Sequence, residues 1–331
     1  MAHRPLSRRR LLALLLAAPA LPTAAAPARS MAASITLSGP LAVVSFPLIH
    51  MAGNGALAAF ARKVEFRQWQ GVDQLRAQLA SGAIDFAATP SNLPALMANR
   101  GSPVRLLSVS VWGIQWLLSR DPALKGLADL RGKELLVGYQ RDLPALVLDK
   151  LLARQGMRPG RDITLRYVRD PHDAMALLLA GRADHALVGE PTASLLLARN
   201  RAAGAAPLYR IQSQQQAWRD SFPAQPDFPS AGLMANAHVA ADATLCRAVA
   251  AAYDASARWC KAQPAQCAAL VHARFPHLPV AALEESIRCT DLRGVPATRA
   301  RPQLEAMYRL LADSDPQATG GRLPDPGFYG P

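Results

Sequence analysis

Gln74-Leu75-Arg76-Ala77-Gln78-Leu79-Ala80-Ser81-Gly82-Ala83-Ile84-Asp85-Phe86-Ala87 and Asp173-Ala174-Met175-Ala176-Leu177-Leu178-Leu179-Ala180-Gly181-Arg182-Ala183-Asp184-His185-Ala186 are two copies of one pattern, ninety-nine residues apart. In each, an apolar-faced helix runs into a glycine, which tolerates the left-handed conformation just past a helix end. An aspartate three positions later opens a short apolar run with the character of a buried parallel strand. Each run ends in a turn containing proline, Thr89-Pro90 in the first and Glu190-Pro191 in the second. Ligands of open α/β sheets sit beyond the carboxyl ends of the strands. Two such units fit two α/β lobes that offer loops to a shared cleft. The junction alone also fits one long doubly wound sheet.

Length and composition set the frame around this pair. A chain of 331 residues can bury a large core and favours two domains over one. Hydrophobic residues at 50% and charged residues at 18% describe a globular chain, and alternating helical and strand patterns make it α/β.

Residues 1–30 read as an export signal. Ser7-Arg8-Arg9-Arg10 precedes a short apolar stretch from Leu11 to Ala18, then Pro19, Pro22 and a small-residue site at Ala26-Pro27-Ala28. The paired arginines resemble a twin-arginine signal, although Leu11 and Ala13 depart from its usual pattern, and a general secretory signal fits equally well. Removing the segment takes away five arginines and no acid, so the formal charge falls from +13 to +8. That excess is scattered, and the basic stripe with interleaved aromatics that marks nucleic-acid binding is absent. The mature protein is therefore expected to be a soluble monomer in the periplasm.

All four cysteines, Cys246, Cys260, Cys267 and Cys289, lie in the last hundred residues. An even count in an exported chain points to disulfides, and the turn between Cys260 and Cys267 allows that pair to close locally. Their spacing matches no zinc motif, and no metal or cofactor is expected.

Further along the chain, Ile114–Ser119 and Ala231–Asn236 read as two apolar strands crossing between lobes. Gln212–Ser230, polar and rich in proline, reads as a connecting loop or a flap at the cleft. From Val239 onward the pattern is helical, with breaks at Pro264, Pro276 and Pro279.

In this order the pieces resemble the periplasmic solute-binding proteins of ABC importers, in the branch serving nitrate, sulfonate, taurine and thiamine-precursor uptake. The resemblance rests on Leu127-Ala128-Asp129-Leu130-Arg131-Gly132-Lys133, on Leu151–Met157 followed by Gly160–Leu165, on both glycine–aspartate junctions and on Glu190-Pro191. Trp259, Pro264, Ala265, Ala268 and Leu270, and the tail Gly320–Tyr329, extend it over residues 35 to 329. It implies a type II-like two-lobed fold, two doubly wound lobes joined by two crossing strands. Lobe one would comprise residues 31–118 and 231–331, and lobe two residues 119–230. The implied partners are a small ligand and an ABC permease in the inner membrane.

On this fold, lobe one would offer Ser38, Gly39, Thr89, Ser91, Asn92 and Trp112 to the ligand. Lobe two would offer Gln140, Arg141, Glu190 and Thr192. Ser91, Asn92, Asp142 and Thr192 lie at expected helix starts, where free amides and the macrodipole favour an anion. Arg141 adds a bidentate donor for a sulfonate, carboxylate or phosphate. Such Ser, Asn, Asp and Thr residues also serve as plain helix caps. Two other functions share the fold: a ligand-sensing module for a membrane partner, and an enzyme like those forming the thiamine pyrimidine. The export signal and the absence of a clustered His/Asp/Glu/Cys set near the loops argue against catalysis.

Overall fold

A computed structural model describes residues 31–140 and 142–331. The export segment and Arg141 lie outside the described residues. The chain opens with β1 (Ala32–Gly39), α1 (Phe46–Gly53), β2 (Ala61–Gln68), α2 (Val72–Ala80), β3 (Phe86–Pro90), α3 (Asn92–Asn99) and β4 (Arg105–Val111). Helix α1 ends at Gly53 because Asn54 and Gly55 turn the chain, Gly55 at φ +74°. Then come β5 (Gln115–Ser119), β6 (Glu134–Val137), α4 (Leu143–Arg154), β7 (Thr164–Tyr167), α5 (Pro171–Leu179), β8 (His185–Gly189), α6 (Thr192–Ala202) and β9 (Tyr209–Ser213). The remainder is α7 (Gln214–Ser221), β10 (Ala231–Ala235), α8 (Ala237–Ala240), α9 (Ala243–Ala262), α10 (Pro264–Arg274), α11 (Val280–Arg288), β11 (Leu292–Pro296) and α12 (Ala297–Ala312).

Both junctions fold as the sequence implies. Gly82 and Gly181 take φ of +68° and +65°. The next amide returns to the helix in each, Ala83 to the Gln78 carbonyl at 3.0 Å and Arg182 to that of Leu177 at 2.9 Å. These are Schellman closures, which satisfy carbonyls a helix end otherwise leaves unpaired. The strands they launch, β3 and β8, keep the same ninety-nine-residue offset.

Two sheets result, and they share a plan. The first has the order β11-β4-β10-β3-β1-β2 and the second β7-β6-β8-β5-β9. In each, three parallel strands form one side, β2-β1-β3 and β7-β6-β8, and the innermost lies beside an antiparallel strand that arrives from the other sheet. That neighbour is β10 against β3, and β5 against β8. Faces alternate with period two. Phe86 and Ala88 pack with α1, α9 and α10, while Ala87 packs with α2 and α3. In the second sheet Leu136, Ala186 and Val188 join α5 and α6, and Leu135, Val137 and Leu187 join α4 and α7. Two of the three buried apolar clusters run through both sheets, so the lobes do not have wholly separate cores.

Two stretches differ from expectation. The segment read as a loop or flap from Gln212 contains α7, capped where Ser213 Oγ accepts the Gln216 amide at 3.0 Å. Trp218 anchors it, 1% exposed, against Phe222 and Phe228. Within the stretch read as wholly helical after Val239, β11 forms an edge strand on β4, with an irregularity between Leu292 and Val295. The expected local pair, Cys260 and Cys267, is brought together, its sulfurs 2.6 Å apart and not bonded in this structure.

Candidate functional site

The strand directions fix where a site can lie. The carboxyl ends of β1, β2, β3 and β4 share one edge of the first sheet, and those of β6, β7 and β8 share one edge of the second. Trp112-Gly113-Ile114 leads from the end of β4 to Gln115, which pairs with Gly189 at the end of β8. Three residues thus join the two carboxyl edges. The return passage through α7 leaves from Ser213 on the same edge of the second sheet and enters β10 at Ala231, beside Val111 and Pro90. The loops that start the helices therefore gather where the sheets meet.

Helices α2 to α6 all begin on these edges, and they differ in what occupies their N-termini. Asp170 caps α5, its carboxylate accepting the amides of His172 at 2.8 Å and Asp173 at 3.0 Å. Glu190 does the same for α6, accepting the Ser194 amide at 3.0 Å. The N-termini of α2, α3 and α4 have no side-chain cap. At α3 the returning chain covers that end, since the Ser91 amide donates to the Ser230 carbonyl at 3.1 Å and Ser91 Oγ donates to the Pro229 carbonyl at 2.5 Å. The ends of α2 and α4 are left to other partners. Asp142 stands just before α4, and the charges of Arg76 and Asp73 on α2 both act on it. Burial raises the Asp142 carboxyl, Arg76 opposing and Asp73 reinforcing the shift.

Glu190 itself is committed. Its side chain is fully buried and pairs with Arg210 at 2.5 Å. The same guanidinium donates to Ser194 Oγ at 2.7 Å and to Glu285 of α11 at 3.1 Å, and lies over the Trp116 ring at 5.4 Å. Burial pushes the Glu190 carboxyl up, and the Arg210 charge pulls against that.

The other expected residues divide into two groups. Ser38 and Gly39 end β1, Thr89 is the last residue but one of β3, and Thr192 opens α6, all on the converging edges. Ser38 Oγ donates to the Arg67 carbonyl at 2.9 Å, and Thr89 Oγ1 to the Pro90 carbonyl at 3.1 Å. Asn92 and Trp112 are tied away from the edges. Asn92 donates to the Ala318 carbonyl at 3.1 Å, and Trp112, 1% exposed, donates to that of Arg293 at 3.1 Å beneath the Arg293 guanidinium. Ser91 also holds the tail helix, its carbonyl accepting the Tyr308 hydroxyl at 2.8 Å.

Gln140 lines a cavity of 530 Å³ between the first turns of α4 and the end of α12, with Asp149, Lys150, Tyr167, Ser314 and Asp315. Two carboxylates against one ammonium make that cavity a poor host for an anion.

Two residues at the edges were not singled out from the sequence. Gln115 Oε1 and Ser45 Oγ are buried polar atoms with no hydrogen-bond partner. Gln115 adjoins Tyr139, whose hydroxyl accepts the Gly189 amide at 3.1 Å; burial pushes that phenol up to about 12. Ser45 Oγ stands 2.2 Å from where a Cβ on Gly39 would lie, and Tyr139 Oη 2.9 Å from one on Gly189, so both positions require glycine. Their only sequence signal is a polar residue inside an otherwise apolar run. Among the described residues, no group of three or more His, Cys, Asp or Glu is placed to hold a metal. No helix among them is long and apolar enough to cross a membrane.

Two sheets meeting at their carboxyl edges, with helix N-termini turned to the junction, define a two-lobed binding protein. Residues 58–253 match the family described as ABC transporter, phosphonate, periplasmic substrate-binding protein, and the chain belongs to that family. No curated protein matches the chain by sequence. Among solved structures, an ABC transporter protein from Parabacteroides distasonis is similar, with a TM-score of 0.76 at 20% identity over 90% of this chain and 99% of that one. The aliphatic sulphonate-binding protein SsuA from Escherichia coli has a TM-score of 0.63 at 16% identity, over 84% and 87% of the two chains. The nitrate-binding protein NrtA from Synechocystis has a TM-score of 0.66 at 16% identity, over 87% and 84%. At these identities the likeness is one of fold.

Proposed function

We propose that the protein is the exported, periplasmic receptor of an ABC importer, and that it carries a small oxyanion to an inner-membrane permease without altering it. The observation that supports this most is the contrast among helix ends at the junction. Helices α5 and α6 already hold carboxylates of their own, whereas α2 and α4 have no side-chain cap. An anion there completes two helix N-termini at once, with the charge met by amides and dipoles. The ligand contacts on this reading are the Ser38–Gly39 and Thr89 turns and the start of α2 from lobe one. Arg141, Gln115 and Thr192 meet them from lobe two, and Gln140, which lines the α4–α12 cavity, is left out of the contacts. Ser91, Asn92, Trp112 and Glu190 hold the loops in place.

On this reading lobe one comprises residues 31–114 and 231–331 and lobe two residues 115–230, a shift from the expected boundary at 118 made because β5 pairs in the second sheet. A phosphonate family and similar folds named for sulfonate and nitrate make an oxyanion the first class to test. Carriage without chemistry is favoured by two histidines near the junction units that are committed to packing. His50 stacks on Trp259 at 3.9 Å, and His185 bonds Ser119 Oγ at 2.9 Å, both serving packing.

The test is a thermal-shift screen of the mature protein against sulfonates, phosphonates, nitrate, carboxylates and neutral and cationic controls. A specific ligand at a hundredfold excess over its dissociation constant stabilises by about 2.7 kcal/mol. Stabilisation by oxyanions alone supports the proposal; stabilisation only by neutral or cationic compounds defeats it.

A further inference from the structure

Cys260 and Cys267 sit on either side of a helix break. Gln263 ends α9 and begins α10 at φ −126° and ψ 59°, and Pro264, lacking an amide proton, prevents the two from continuing as one helix. The corner is pinned from outside. Lys261 Nζ donates to the carbonyls of Ile287, Arg288 and Thr290 at 3.2, 3.1 and 2.7 Å, at the end of α11. Cys260, in the last turn of α9, and Cys267, in the first turn of α10, thus point at one another with neither exposed to solvent. Burial and the neighbouring thiol hold Cys260 protonated. A thiol is not a nucleophile; the thiolate is. Once the corner has closed, this pair is inert to an external oxidant or reductant.

We propose that Cys260 and Cys267 are joined by a disulfide in the exported protein, formed before the α9–α10 corner packs; this rests on the export reading above. The oxidant is a disulfide-bearing protein of the oxidising compartment. One cysteine thiolate attacks its disulfide, giving a mixed disulfide and releasing one oxidant thiolate. The second cysteine thiolate then displaces the other oxidant sulfur. The pair loses two electrons and two protons, and the oxidant is reduced to a dithiol. After folding, the bond is sealed in the core.

The full chain, with its own leader, is expressed and the exported protein is denatured and alkylated without reductant, then digested with trypsin. Cleavage after Arg258, Lys261 and Arg274 should yield Trp259–Lys261 joined to Ala262–Arg274, separating only after reduction. Four alkylated cysteines, or a bridge joining Cys260 or Cys267 to Cys246 or Cys289, would overturn the proposal. Folded exported protein should also show no loss of the bridge in dithiothreitol, whereas the same protein in denaturant should lose it; loss in the folded state contradicts sealing. Oxyanion thermal shifts on the same sample report separately on ligand binding, so failure of the bridge and failure of the carrier reading are distinct results.

Discussion

Glu190 and Arg210 form an ion pair at 2.5 Å in which the carboxylate is wholly buried and the guanidinium is 13% exposed. The pair sits where three elements meet: the turn after β8, strand β9 and, through Glu285, helix α11. Removing one partner of a buried pair strands the other charge and costs about 3–5 kcal/mol. Arg210→Ala should therefore lower stability by about that amount, measured by urea unfolding. Glu190→Gln should cost less, because the amide still bonds Ser194. Equal losses for the two variants would show that the pair is not what holds this turn.

Asp254 provides a pH signature. It lies on α9, 6% exposed, and accepts a short bond from Ser108 Oγ. Burial raises its carboxyl from 3.8 to about 6. Its folded pKa lies above the unfolded value, so the contribution is present at pH 4 and is lost as pH rises through 6. A shift of this size corresponds to about 3 kcal/mol. Asp254→Asn keeps an acceptor for Ser108 and removes the charge. It should raise the melting temperature at pH 8 and flatten the decline between pH 4 and 7, read by calorimetry across that range.

Gly189→Ala places a methyl group 2.9 Å from both Gln115 Nε2 and Tyr139 Oη. Overpacking of this kind costs about 1–3 kcal/mol. The displaced groups are at the converging edges, so oxyanion affinity should fall as well. A variant that loses stability but binds as tightly as wild type would remove Gln115 and Tyr139 from the neighbourhood of the ligand.

Trp218→Ala tests whether α7 is part of the core. Truncating a buried tryptophan costs about 3–5 kcal/mol. A mobile flap would tolerate the change, and proteolysis within 214–230 would then be as fast in wild type as in the variant.

The duplicated junction was legible because its glycines and aspartates are physically constrained: a Schellman closure needs Gly82 and Gly181, whatever surrounds them. Helix α7 was not, because its buried positions include glutamines. Gln214 donates to the Pro144 carbonyl, and Gln215 bridges Pro226 and the Phe228 amide, so tertiary partners satisfy residues that read as solvated. Strand β11 holds Gly294 and Pro296 in five residues and exists only through pairing with β4. At the site, strand ends and helix starts gave the turns but not their assignments. Ser91 and Asn92 look like ligand contacts until the chain returns over them at Pro229, Ser230 and Ala318, and no local pattern encodes that return.

The most direct measurement is isothermal titration of the mature protein with the oxyanion that most raises its melting temperature, followed by recovery of the bound compound. The account predicts one ligand per chain, weakened in Arg141→Ala and Thr192→Ala but not in the cavity variant Asp149→Ala, and released chemically unchanged. No binding by any sulfonate, phosphonate, nitrate or carboxylate, or recovery of an altered compound, would contradict it.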